Sequence, residues 1–242
     1  MNRVLLIQEL IRKEKFRKYL EIGTNKGGSL LPMRCSEKFA VDPGFKLPLQ
    51  SLIKWYVLNP TNFRNRYFRE TSDDFFRNRD SMLKELGQVD IFLIDGLHTF
   101  EQSLKDVLNA LKYLNPAGLI VMHDCYPPDK IAATPAQSID LAKEVVKDAW
   151  KNAWCGDVWK TIVYLREMHA DDLDVAVIHV DFGLGIVRKK STRHLDLKID
   201  QATLQKIKNL EYSVIKKDPS LLNLKDEAFA YELIENLQAK SI

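Results

Sequence analysis

The stretch "YLEIGTNKGGSL", residues 19–30, decides the fold. Tyr19, Leu20 and Ile22 form a short apolar run that stops at Gly23, and Gly27 and Gly28 follow within one turn's length. A strand that ends in a glycine-rich turn and feeds a helix start is the repeating unit of doubly wound sheets. An acid, Glu21, stands just before the first glycine.

Working outward, residues 3–18 read as an amphipathic helix with Val4, Leu5, Ile7 and Ile11 on one side. "EKFAVDPG" (37–44) is a second strand, closed where Asp42, Pro43 and Gly44 enforce a turn. Residues 45–63, with Trp55, Tyr56 and two prolines, read either as a helix-bearing insertion over a pocket or as surface padding. "NRYFRETSDDFF" (65–76) gives a third strand and a helix start that Ser72 or Asp73 can cap. "QVDIFLIDG" (88–96) is nearly unbroken apolar sequence, as expected of a central strand covered on both faces. Leu104, Val107, Leu108 and Leu111 mark a helix over 99–114, and "NPAGLIVMHD" (115–124) a turn and fifth strand. Helices are expected through 136–169. "DLDVAVIHV" (172–180) and "GLGIVRKK" (183–190), meeting at Asp181-Phe182-Gly183, read as an antiparallel hairpin. The expectation is an α/β, doubly wound, mostly parallel sheet in one domain over 1–190. Residues 191–242 form a helical extension that caps the core or, less simply, pairs with a second copy as a homodimer.

Composition limits the alternatives. The chain has 242 residues, of which 45% are hydrophobic and 29% charged, with a formal net charge of +3. No run of about 18 apolar residues marks a membrane span. The opening residues alternate apolar and basic positions, unlike a cleavable signal peptide. Cys35, Cys125 and Cys155 are few and widely spaced, which fits free thiols and a cytoplasmic location. Arg64, Arg66, Arg69, Arg77 and Arg79 interleave with Tyr67, Phe68, Phe75 and Phe76. Such a cluster can grip a nucleic-acid strand or an anionic small substrate. A solvated face is the simpler reading, and the modest net charge does not favour nucleic acid as a partner.

Ligands of open sheets lie beyond the carboxyl ends of the strands. The residues there are Glu21 with Gly23, Asp42, Ser72 with Asp73, Asp95 with His98, and His123 with Asp124. A ring of acids repels a pyrophosphate, and "GTNKGG" has neither the G-x-G-x-x-G spacing nor the G-K-[ST] ending of phosphate loops. S-adenosylmethionine suits it better, having no phosphate and two cationic groups. Glu21 would favour the cationic end, and glycine permits close backbone approach. The following helix N-terminus would accept the carboxylate, Asp42 the ribose hydroxyls and Asp73 the adenine amino group.

On these residues, Tyr19 to about Lys190 resembles the class I S-adenosylmethionine-dependent methyltransferases. "DIFLIDGLHTFEQSLKDVLNALKYLNPAGLIVMHD" (90–124) looks most like their small-molecule O-methyltransferase branch, which includes macrocin-type and cephalosporin-hydroxylase-type proteins. The resemblance implies seven strands in the order 3-2-1-4-5-7-6, with strand seven antiparallel, and a hydroxyl of a small polar molecule or sugar as acceptor. It places Gly23, Thr24, Gly27, Asp42, Ser72, Asp73 and Asp95 on the cofactor. Two departures stand out. Ala117 replaces a second glycine, and His123-Asp124 stands where metal-dependent members carry two acids.

Methyl transfer to a hydroxyl requires removal of a proton. His98 is the first candidate base and His123 the second; the plainer role of either is to fix a loop through a neighbouring carboxylate. A divalent metal on Asp95 and Asp124, with one histidine, is the other route, and imidazole shifts the preference from magnesium toward manganese, iron or no metal at all. In "GDVWKTIVYLREMH" (156–169), Trp159 and Tyr164 read as packing residues more readily than as pocket walls, with Lys160 and Arg166 facing water. Two rival classes are a nicotinamide-dependent oxidoreductase and a non-catalytic binding module.

Overall fold

A computed structural model describes residues 1–192 and 195–237. Its strands are β1 (Lys18–Ile22), β2 (Glu37–Val41), β3 (Arg66–Phe68), β4 (Val89–Ile94), β5 (Leu114–Met122), β6 (Leu173–Ile178), β7 (Leu184–Lys189) and β8 (Leu224–Lys225). The helices are α1 (Arg3–Glu14), α2 (Leu49–Leu58), α3 (Ser72–Asn78), α4 (Asp80–Leu86), α5 (Phe100–Tyr113), α6 (Ile139–Val146), α7 (Trp159–Met168), α8 (Gln201–Lys208), α9 (Ser213–Lys217) and α10 (Ala228–Asn236).

One sheet carries the order β3-β2-β1-β4-β5-β7-β6-β8. The pairs from β3 to β5 are parallel, and β7 runs antiparallel between β5 and β6. The expected order is therefore present with one strand more than seven: β8, from the C-terminal region, pairs in parallel with β6 through Val177 and Leu224. Two residues of strand at a sheet edge carry too little pattern to be read from sequence.

The sheet is buried on both faces. Leu20, Ile22, Phe92 and Ile94 point into one core, with residues of α3, α5, α7 and α8. Their neighbours Tyr19, Ile91 and Leu93 point into the other, against α1 and α10. This period-two alternation turns an apolar run into a strand covered on both sides. Leu195, Leu204, Ile207, Ile215 and Leu222 join the first core, and Leu233 and Ile234 the second, so the chain after β7 covers the sheet. Within 191–242, Arg193, His194 and residues 238–242 lie outside the described residues.

Several local expectations need correction. The buried stripe of α1 is Leu6, Ile7, Leu10 and Ile11, whereas Leu5 is half-exposed. No regular helix follows Gly23; residues 25–32 form turns, because Asn25 (φ 46°) and Gly27 (φ 75°) adopt left-handed backbone that a helix cannot propagate. The cap of α3 is Thr71, whose side chain accepts from the Asp74 amide at 3.1 Å, not Ser72 or Asp73. The helices expected through 136–169 are α6 and α7, parted by an irregular stretch where Lys147, Asn152 and Gly156 all have positive φ. Trp159 and Tyr164 are fully buried, as packing requires. Lys160 and Arg166, by contrast, do not simply face water: Lys160 Nζ is buried and donates to the Lys208 carbonyl, and Arg166 Nε donates to that of Leu221.

Candidate functional site

The carboxyl ends of β1, β2, β4 and β5 open into one cavity of about 1040 Å³. The glycine turn forms its floor. At Gly23 (φ +88°) an added Cβ would lie 2.0 Å from the Asp95 carbonyl oxygen, so only glycine lets β1 and β4 end this close together. Gly28 lines the cavity and faces open space, whereas Gly27 packs against Leu31 and Leu47 and is not part of the lining. Thr24 is buried beside them; its hydroxyl lies near enough to Glu21 to lower that group's pKa, yet makes no hydrogen bond of good geometry.

Glu21 is fully buried, and burial pushes its pKa up to about 8 although Tyr19 Oη donates to it at 2.5 Å. Burial thus biases the acid before the first glycine toward its protonated form. Asp42 accepts from the amides of Asn25 (2.7 Å) and Gly44 (2.7 Å), which orients its carboxylate at the rim. Ser72 and Asp73 also line the cavity, and Gln102 Nε2 holds both, at 3.1 Å and 2.9 Å.

Opposite lies a charged cluster. His98 Nδ1 is 2.9 Å from the Trp154 carbonyl oxygen. A carbonyl can only accept, so Nδ1 carries the hydrogen and Nε2, 3.7 Å from Asp95, presents its lone pair. Burial opposes a charge on His98, but the neighbouring carboxylates of Asp95 and Asp124 raise its pKa overall. His123 Nδ1 lies 3.2 Å from Asp95 and 3.1 Å from Asp124, bridging the two carboxylates. Its Nε2 meets Arg3 Nη1 at 3.0 Å. Burial favours the neutral ring, while Asp124, Asp181 and Asp95 favour the charged one and raise its pKa overall. Asp95 moves the opposite way: burial opposes its charge, but both histidines hold its carboxyl well below the usual range.

Asp95, His98 and Asp124 each offer one ligand atom, all within 4.8 Å of one another. Two carboxylates and one imidazole fit a divalent cation, with His98 held by Trp154 from behind as metal-binding imidazoles usually are. Asp124 (φ 62°) reaches the cluster through left-handed backbone.

Five residues at the site escape a reading of sequence motifs. Arg3, at the start of α1, binds Asp181 Oδ2 at 3.0 Å and Ser29 Oγ at 3.1 Å. Phe182, from the β6–β7 turn, and Gln102, Trp154 and Asp181 complete the set. Gly156 was the available signal for Trp154: with φ +60°, its missing Cβ would sit 1.8 Å from the His98 carbonyl oxygen, so the 154–157 loop must press on His98. None of the arginines at 64, 66, 69, 77 or 79 lines the cavity; Arg77 pairs with Asp74 and Arg79 with Glu70.

With this geometry in view, the chain compares as follows. Residues 20–125 match a family model described as a methyltransferase domain. No curated protein matches the chain in sequence. An O-methyltransferase family protein from Burkholderia thailandensis superposes with a TM-score of 0.50 at 16% identity, over 79% of this chain and 56% of that one. The chain thus spans little more than half of that relative's length. TomG from Streptomyces achromogenes, an O-methyltransferase involved in tomaymycin synthesis and solved with S-adenosylmethionine, gives 0.50 at 14% identity over 77% and 79% of the two chains. Cofactor-bound Rv0187 from MTB gives 0.52 at 14%, over 79% and 82%. The fold is thus that of these methyltransferase structures, and residues 20–125 are similar in sequence to a methyltransferase domain.

Proposed function

We propose that this protein transfers the methyl group of S-adenosylmethionine to a hydroxyl of a small polar molecule. The observation that carries the reading is the placement of the Asp95–His98–Asp124 cluster in the same cavity as the glycine turn after β1. The donor supplies an electrophilic methyl group on a cationic sulfur. Gly28, which faces open space in the cavity, leaves room for it, and the oriented carboxylate of Asp42 would receive hydroxyl hydrogens of the ribose. Gln102, Ser72 and Asp73 form the far wall.

On the acceptor side, His98 Nε2 takes the hydroxyl proton, and Asp95 and Asp124 stabilise the imidazolium that results. His123 is the poorer base, because both its nitrogens are already engaged. A second reading rests on the donor set itself: a cation held by Asp95, His98 and Asp124 would lower the acceptor pKa directly.

The test is transfer from radiolabelled donor to candidate small-molecule acceptors, with and without chelator. Indifference to chelator together with a His98→Gln turnover loss of about 10²–10⁴-fold at unchanged donor affinity supports the base. Loss of transfer on chelation, restored by manganese, supports the cation. Failure to bind the donor overturns the reading.

A further inference from the structure

Helix α2 and the 3₁₀ turn after it, Pro60–Arg64, take no part in the chemistry above, yet they are built in an unusual way. α2 buries none of its residues. Leu49, Ile53 and Val57, one turn apart, are 70%, 59% and 75% exposed, and Phe63 in the following turn is 72% exposed. This row is not loosely attached. Asn59 Nδ2 donates to the carbonyls of Leu31 (3.0 Å) and Met33 (2.8 Å), and Asn62 Nδ2 to those of Leu31 (2.9 Å) and Trp55 (3.0 Å). The buried ammonium of Lys38 bonds Asn62 Oδ1 and the Met33 carbonyl from below. A buried polar latch thus fixes an apolar row that points away from the protein.

Charge selects the occupant. Residues 43–69 contain no Asp or Glu and five basic residues, Lys46, Lys54, Arg64, Arg66 and Arg69. All five are exposed, and among the described residues none forms an ion pair. Aromatic residues lie among them: Lys54 sits over the Trp55 ring at 5.4 Å and Arg69 over Phe45 at 5.7 Å. An apolar helical row flanked by unpaired cations and aromatic rings is the arrangement that lies in the headgroup region of an anionic bilayer. Pairing with a second copy through this face would bring two sets of unpaired cations together. No described helix is long and apolar enough to cross a membrane, which leaves contact with the surface.

We propose that α2 and the Pro60–Arg64 turn form a docking element for anionic phospholipid surfaces, seated by Leu49, Ile53, Val57 and Phe63 and held by the surrounding lysines and arginines. The same segment reaches the cavity rim through Pro43, Gly44 and Lys46, so docking sets that rim beside the lipid.

The experiment is cosedimentation of the full chain with phosphatidylcholine vesicles and with vesicles containing about one-third phosphatidylglycerol, at low and high salt. The protein is expected to pellet with the anionic vesicles only, and to be released by salt. Ile53→Asp with Val57→Asp, and separately Lys54→Glu with Arg64→Glu, are each expected to weaken binding by about tenfold or more, with unchanged thermal midpoints because none of these side chains is buried. Protein that stays in solution with both vesicle types overturns the proposal, as does wild-type binding by both double variants. So does a dimer, seen by light scattering and abolished by the Ile53 and Val57 changes, in protein that ignores vesicles; that result would make the face a self-association surface.

Discussion

His98 and Trp154 are joined twice: their rings stack with centroids 5.0 Å apart and 24° between planes, and the Trp154 carbonyl accepts from His98 Nδ1 at 2.9 Å. One residue from the loop before α7 thereby sets both the tilt of the imidazole and the nitrogen it presents to the cavity. Trp154→Ala is expected to reduce kcat by about 10–100-fold while donor affinity, measured by calorimetry, stays within about twofold. A loss of donor affinity as large as the loss of kcat would show that Trp154 shapes the cofactor pocket instead.

Gly23→Ala is expected to be severe. The position needs φ +88°, and the new methyl would meet the Asp95 carbonyl at 2.0 Å, so β1 and β4 would have to part. A destabilisation of about 2–4 kcal/mol, or a fall of roughly 5–15 °C in thermal midpoint, follows for a chain of this size. Gly28→Ala is the control: no protein atom lies within 4 Å of its added Cβ, and the midpoint should barely move.

Asp106 gives stability a pH dependence. It is buried, and burial raises its pKa from 3.8 to about 7 despite hydrogen bonds with Ser72 and Gln102. The folded protein therefore keeps this proton longer than the unfolded chain. The contribution is fully present below about pH 4 and is lost as pH rises toward about 7, beyond which it is constant. Urea midpoints of Asp106→Asn should be flatter than wild type across that window, and relatively higher at pH 8. Parallel curves would show that Asp106 ionises normally.

Arg3 carries charge balance into the site from α1. It lies 3.0 Å from Asp181 and 3.6 Å from Asp95, both acids around His123. Arg3→Ala leaves those carboxylates less compensated and is expected to cost about 1–3 kcal/mol in chemical denaturation. Arg3→Lys should recover only part of that, since an ammonium cannot span Ser29, His123 and Asp181 in one plane.

Much of this architecture was legible in the sequence because strands and glycine turns carry strong local signals. "QVDIFLIDG" could be little else than a central strand, and Gly23 marked the turn. The strand-end acids and histidines were legible for the same reason, since topology alone assigns them to one rim. Arg3, Trp154 and Phe182 were not, because they reach the cavity from segments whose local pattern reads as helix, loop and hairpin turn. The raised pKa of Glu21 was also hidden: an acid near a glycine turn looks charged until its burial is known. Lys160 and Arg166 misled in the opposite direction, because long cationic side chains on a packed helix can thread inward to carbonyl groups.

The turn between β6 and β7 has a consequence of its own. Asp181, Phe182 and Gly183 all have positive φ, and the carbonyls of Phe182 and Gly183 accept from the amides of Tyr126 and Cys125. Its length is thereby locked to the β5 exit, and a one-residue insertion would swing Asp181 and Phe182 away together.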